Sequence, residues 1–151
     1  MLRPAKPSTS VRFRAQPPSS LVKSKMHIFV TNPTEITVSQ FDQEGIEIEL
    51  ANESLYFGAM PMFVASLARC TFAVLESYSM RLDIDANEIQ IKLIWEYAKK
   101  PTRISAIDMQ ILWAVLPESR LKAVSKAAHL CTIHNTINQC VDVNTSVVLN
   151  F

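Results

Sequence analysis

Apolar and polar residues along this chain follow first one period and then another. "MHIFV" opens at Met26 as an extended apolar run, and "EITVSQF" alternates Ile36 and Val38 with Thr37 and Ser39. "GIEIEL" sets Ile46, Ile48 and Leu50 against Glu47 and Glu49. Period-two alternation of this kind marks strands with one buried face. "TNPTE" and "DQEG" supply turn residues between the runs, so the segment reads as a meander of two or three antiparallel strands.

The period then lengthens. "LYFGAM" is a loop, and Pro61 sits where a helix can begin, since the N–H it lacks has no partner in a first turn. From Met60 to Leu75 the chain is apolar except for Ser66, Arg69 and Thr71. Phe63, Leu67, Cys70 and Val74 fall at helical spacing, which predicts a buried helix running out near Arg81. This apolar run is shorter than the about 20 residues a bilayer requires, and it contains Arg69, so no membrane span is expected.

The second half returns to period two. Ile89, Ile91, Leu93, Trp95 and Tyr97 alternate with Gln90, Lys92 and Glu96; after "KKPTR", Ile107, Met109, Ile111, Trp113 and Val115 share one face. This predicts an antiparallel pair with an aromatic-rich buried side. "LPESRLKAVSKAAHL" starts a helix with Pro117 at its first position and Glu118 favourable to the dipole, and Leu121, Val124 and Ala128 form its stripe. "CTIHNTINQC" is a short second helix or a continuation. Val141, Val143 and Val147 alternate in a closing strand. Strands, buried helix, two strands, helix and strand make an α+β fold.

Composition adds little to this pattern except at the start of the chain. With 151 residues, 48% hydrophobic and 19% charged, the chain is globular and long enough for one core. The net charge of +1 hides an asymmetry. Residues 1–25 carry Arg3, Lys6, Arg12, Arg14, Lys23 and Lys25, with no acid and with four prolines and five serines. They read as a disordered leader or as sequence ahead of a true start at Met26, an organelle-targeting peptide being the third reading. Residues 26–151 form the domain. The remaining nine Lys and Arg face fourteen Asp and Glu, a net charge of about −5 that disfavours a nucleic-acid surface. Three cysteines without a secretory signal suggest a reducing, cytoplasmic compartment.

Taken alone, Cys70 is a thiol on an apolar helical stripe, a position small buried hydrophobes also occupy. Cys131 and Cys140 have the same plain reading, and Arg69 that of a charge at a helix edge. His129, Cys131, His134 and Cys140 match no common closed zinc spacing, so no metal is expected. Flavin, nicotinamide and haem signatures are absent, and no cofactor is expected. No phosphate-cradling glycine loop is present. Trp95, Trp113 and Tyr97 read as core or interface.

"ASLARCTFAVLESYSMRLDIDANEIQIKL" resembles the first-cysteine helix and following strand of OsmC/Ohr-type proteins. "LPESRLKAVSKAAHLCTIHNTI" is similar to their second signature, a helix ending in a Cys-Pro-Val-His-like turn, here Cys131, Thr132, Ile133 and His134. The resemblance spans roughly Met26 to Leu149. It implies an OsmC-like fold, with antiparallel sheets wrapped around central helices in an intertwined homodimer. It also implies a thiol-dependent hydroperoxide reductase in which Cys70 attacks an organic or lipid hydroperoxide, Cys131 resolves the product, and a cellular dithiol regenerates the pair. Family peroxidases place an arginine from the first strands at the cysteine, held by a glutamate ten residues before it. Here Met26 to Asn52 contains no Arg or Lys, and the position ten before Cys70 is Met60. His134 is then an alternative partner if the two cysteine segments meet. The other reading is a dimeric OsmC-like protein that binds a small hydrophobic ligand without peroxidase activity.

Overall fold

A computed structural model describes residues 25–41 and 44–151. The expected leader, apart from Lys25, lies outside the described residues, as do two residues of the "DQEG" turn. Strands β1 (Met26–Asn32) and β2 (Glu35–Ser39) form an antiparallel hairpin, and β3 (Ile46–Leu50) follows. The long helix α1 spans Ala59–Leu82. A second hairpin joins β4 (Gln90–Lys99) to β5 (Thr102–Leu112). A 3-10 turn (Glu118–Arg120), α2 (Leu121–Ala128), α3 (Thr132–Ile137) and β6 (Asp142–Val148) complete the order.

All six strands join one sheet in the order β3-β1-β2-β4-β5-β6. The three inner pairings are antiparallel, but β3 runs parallel to β1 and β6 parallel to β5. The expected antiparallel meander and antiparallel sheets are therefore corrected to a mixed sheet. The chain leaves β2 through Gln40, at φ 51 in the left-handed region, and reaches the far side of β1 instead of folding back beside β2.

The sheet's inner face is the core. Met26, Ile28, Val30, Ile36, Val38, Ile91, Leu93, Trp95, Ile107, Met109 and Ile111 are all buried there. Helix α1 crosses this face, packing on β2 and β4 and carrying α2 and α3 against it. Its buried side runs through Val64, Ala65, Leu67, Ala68, Thr71, Phe72, Leu75 and Ser79. This stripe is rotated from the expected one: Leu67 is buried, while Phe63, Cys70 and Val74 lie half-buried at its margin. Small residues at 65 and 68 let the helix approach the sheet closely. Pro61 lies in the first turn, and the helix ends at Asp83, whose left-handed backbone lets its N–H bond the Ser79 carbonyl. At 24 residues α1 exceeds the apolar run noted in the sequence. By length and composition it is long and apolar enough to cross a membrane. In this fold its apolar side is instead the centre of the core.

Four further expectations change. β3 has no buried face; all five of its residues are exposed. Ile46, Ile48 and Leu50 register with Met26, Ile28 and Val30 and so continue the inner face, but α1 lies two strands away and leaves them uncovered. Tyr97 pairs with buried Ile104 but is itself 42% exposed, since it lines a cavity at the start of α1; the bulge beside it places the extra residue, Ser105, in β5. Val115 lies past the end of β5 and is exposed. Pro117 precedes the 3-10 turn rather than opening an α-helix, and α2 begins at Leu121.

Leu75 is fully buried between α1 and the sheet. Leu75→Ala should lower unfolding free energy by about 2–5 kcal/mol, the sum of lost transfer and a residual cavity, read as a drop in urea midpoint.

Candidate thiol site

Cys70 lies near the middle of α1 and Cys131 at the start of α3, and the fold brings them together. Both are free thiols, and they lie near enough for Cys70 to influence the ionisation of Cys131. The packing of α3 on α1 produces this contact. Their exposures differ: Cys70 is half-buried at the edge of the core stripe, whereas Cys131 is wholly buried.

The backbone of Cys131 is extended (φ −60, ψ 130), which makes it the N-cap of α3. Its sulfur takes the position a serine or aspartate oxygen usually fills, accepting the backbone N–H of His134 at 3.5 Å. Burial pushes the Cys131 thiol above its ordinary value, and the hydrogen bond and charge of Cys70 add to the rise. The His134 N–H and the Thr71 hydroxyl pull the other way. A thiolate here is costly to desolvate but is met by two donors.

His134 does join the thiol segment, through its backbone. Its side chain is buried, its ring stacks on His129 at 4.7 Å, and its Nδ1 has no hydrogen-bond partner. Burial, with the repulsion of His129, holds its pKa below the usual histidine value. Near neutral pH the ring is therefore uncharged and supplies no cation to Cys70. Arg69 is occupied elsewhere. Its guanidinium lies 5.7 Å from the centroid of Phe72, whose ring stacks on Phe41 at 4.3 Å. Phe41, at the end of the first hairpin, thus brings an aromatic ring to α1. Cys140 stands apart, exposed, its thiol donating to the Ile137 carbonyl at 3.4 Å. Among the described residues no group of three or more His, Cys, Asp or Glu is placed to hold a metal ion.

Two residues the sequence reading passed over belong to this site. Thr71 is fully buried, its hydroxyl donates to the Met109 sulfur at 3.6 Å, and it is near enough to Cys131 to draw that thiol's pKa slightly down. The available signal was a hydroxyl interrupting an apolar run beside the first cysteine. Met109 carried no signal beyond its place on the inner face of β5.

A cavity of about 260 Å³ opens at the other end of the helix, lined by Pro33, Leu55, Tyr56, Met60, Pro61 and Tyr97 among others. A Cβ at Gly58 would come within 2.7 Å of the exposed Tyr56 ring, which would have to swing aside. Met60 precedes Cys70 by ten residues, about 15 Å along the helix axis, so this cavity is separate from the thiols.

Residues 52–146 match the OsmC-like protein family, and the chain belongs to it. No curated protein matches the chain. Among solved structures it is similar to an osmotic-stress-induced and detoxification-response protein from Psychrobacter arcticus, at 15% identity and a TM-score of 0.58, covering 86% of this chain and 98% of that one. It is similar to an organic hydroperoxide resistance protein, OsmC, from Legionella pneumophila, at 20% identity and a TM-score of 0.50, covering 58% and 66%. A redox protein from Lactobacillus casei aligns at 12% identity and a TM-score of 0.53, covering 78% and 84%. At these identities the likeness is one of fold.

Because the folded-state pKa of His134 lies below its unfolded value, stability is fully present above about pH 6.5 and falls as the pH drops toward the folded-state midpoint. The His134 ring should titrate below about 6.5 by NMR. His134→Gln should flatten the fall in urea midpoint between pH 7 and 5, by no more than about 1.4 kcal/mol per pH unit.

Proposed function

We propose that this protein is a dithiol peroxidase that reduces organic hydroperoxides, with Cys70 as the attacking thiol and Cys131 as the resolving one. The observation that carries the reading is the proximity of two thiols from separate halves of the chain, near enough for Cys70 to influence the ionisation of Cys131. Their unequal exposure supports the division of roles, because a peroxide in solution reaches half-buried Cys70 and not Cys131. The Cys70 thiolate attacks the outer peroxide oxygen, the O–O bond breaks, and an alcohol leaves after protonation. Cys70 is left as a sulfenic acid. The Cys131 sulfur then attacks the Cys70 sulfur, the S–O bond breaks, and water departs as the disulfide forms. A dithiol reductant returns both thiols, as suits a reducing compartment such as the cytoplasm. His134 is neutral, Arg69 faces Phe72, and no first-strand arginine is present. The Cys70 thiolate therefore draws on fewer cationic partners than the resemblance implies.

The working unit is a homodimer. Ile46, Ile48 and Leu50 are 59%, 43% and 38% exposed on the inner side of the sheet, where a second copy would cover them. One observation favours a second reading, that of a small-hydrophobic-ligand binding protein: the cavity between Tyr56 and Tyr97 lies apart from the thiols.

Titration of the reduced protein with cumene hydroperoxide, followed by mass analysis, should show loss of two hydrogens mapping to a Cys70–Cys131 link. Cys70→Ser should reduce peroxide consumption to the uncatalysed rate, and Cys131→Ser should leave a sulfenic or over-oxidised Cys70. Thiols that stay reduced, or oxidation at Cys140 alone, would refute the peroxidase reading. Separately, Ile48→Lys should move the protein from the dimer to the monomer elution volume in size-exclusion chromatography.

A further inference from the structure

We infer that residues 11–15 of the chain's own leader dock on the outer edge of β3 as an antiparallel strand, the seventh of the sheet. This goes beyond the thiol reading and does not depend on it. All five residues of β3 are exposed, and no strand among the described residues pairs with its outer flank. An edge of this kind is a template for a further strand. Its two faces differ in chemistry. Ile46, Ile48 and Leu50 continue the core face of the sheet, while Glu47 and Glu49 lie on the other side. One oxygen of Glu49 is bonded by His27 Nε2 at 2.9 Å, which leaves the second oxygen and the whole Glu47 carboxylate for another partner. The occupant must therefore alternate apolar and cationic residues over five positions.

The leader carries that pattern. "VRFRA" sets Val11, Phe13 and Ala15 against Arg12 and Arg14. Pro7 and Pro17 bracket the segment, and residues 8–16 contain no proline, glycine or acid, so every N–H a ladder needs is present. The route of the chain sets the direction. The Met26 N–H bonds the Gly45 carbonyl at 3.0 Å, so the leader enters β1 at the end of the sheet where β3 starts. A strand antiparallel to β3 finishes at that same end. It lies two strand spacings from β1, about 10 Å, and residues 17–25 reach about 30 Å when extended. A parallel strand would finish at the far end and have to return along the sheet. One antiparallel register pairs Arg14 with Glu47 and Arg12 with Glu49, and it sets Ala15, Phe13 and Val11 beside Ile46, Ile48 and Leu50. Opposite charges directly across a strand pair favour it. A slip of one residue would turn both arginines to the apolar face, and a slip of two would leave one arginine without its glutamate.

The test is amide hydrogen exchange, read by NMR on the full chain. The amides of residues 11–15 that face β3 should exchange at least about tenfold more slowly than in a synthetic peptide of residues 8–16. Arg12→Glu with Arg14→Glu should return them to the peptide rate. Adding Glu47→Arg with Glu49→Arg should bring the protection back, because the charges are then exchanged across the same pairs. Phe13→Pro, which keeps both arginines and removes one N–H, should abolish protection. Wild-type amides that exchange at the peptide rate overturn the inference. Protection of the outer β3 amides without protection at 11–15 also overturns it, since the edge then has another occupant. In a mixture of 13C-labelled and unlabelled copies, the Phe13 ring should contact Ile48 within one copy; a contact found only between copies refutes docking of the chain's own leader. If the fourfold charge variant does not fold, Phe13→Pro decides, and protection that survives in it refutes the strand.

Discussion

The packing of α3 across the middle of α1 is the constraint on which the site depends. It seats Cys131 at a helix start, where its sulfur caps a backbone N–H, and it sets that sulfur against two successive α1 residues. A short helix of six residues has little stability of its own. It persists because His134 and Ile137 are buried and because α1 is itself fixed, with Leu67, Ala68 and Leu75 on the sheet. The thiol contact is therefore a property of the core rather than of a loop. A change in packing beneath α1 would be felt at the sulfurs before it was felt at the sheet.

The electrostatics of the site follow from the same burial. A wholly buried thiol resists ionisation, and a buried imidazole resists protonation, so Cys131 and His134 move in opposite directions along the pH axis for one physical reason. The arrangement keeps both groups neutral and relies on dipoles: a backbone N–H and a hydroxyl. Arg69, the cation next to Cys70 in sequence, is committed to the Phe72–Phe41 stack, where its charge meets a ring face.

Much of the fold was legible in the sequence because periodicity reports burial directly. Ile28, Val30, Ile36, Val38, Ile91, Leu93, Trp95, Ile107 and Ile111 all alternate, and all are in the core. Pairing direction was not legible. "GIEIEL" alternates as a half-buried strand should, but alternation does not encode which edge a strand joins or whether a helix reaches it. Tyr97 kept the phase of its strand but lines an open cavity with Met60 and Pro61, and alternation does not report where the core ends. In the site, the resemblance picked out both Cys70 and Cys131, and the fold brings their thiols together. Thr71 was visible only as an interruption, since a hydroxyl on a buried stripe declares its partner only when the opposing elements are in place.

The terminal strand β3 also bears on how copies of this molecule can meet. Among the described residues no strand pairs with its outer flank, a pattern that invites another strand to extend the sheet. Glu47 and Glu49 point to one side of it and the aliphatic residues to the other. Strand-to-strand addition by an identical molecule would line carboxylates up against carboxylates, a destabilising match. Association across the aliphatic side keeps those charges in water. The alternation therefore works against open-ended addition of copies along this sheet edge.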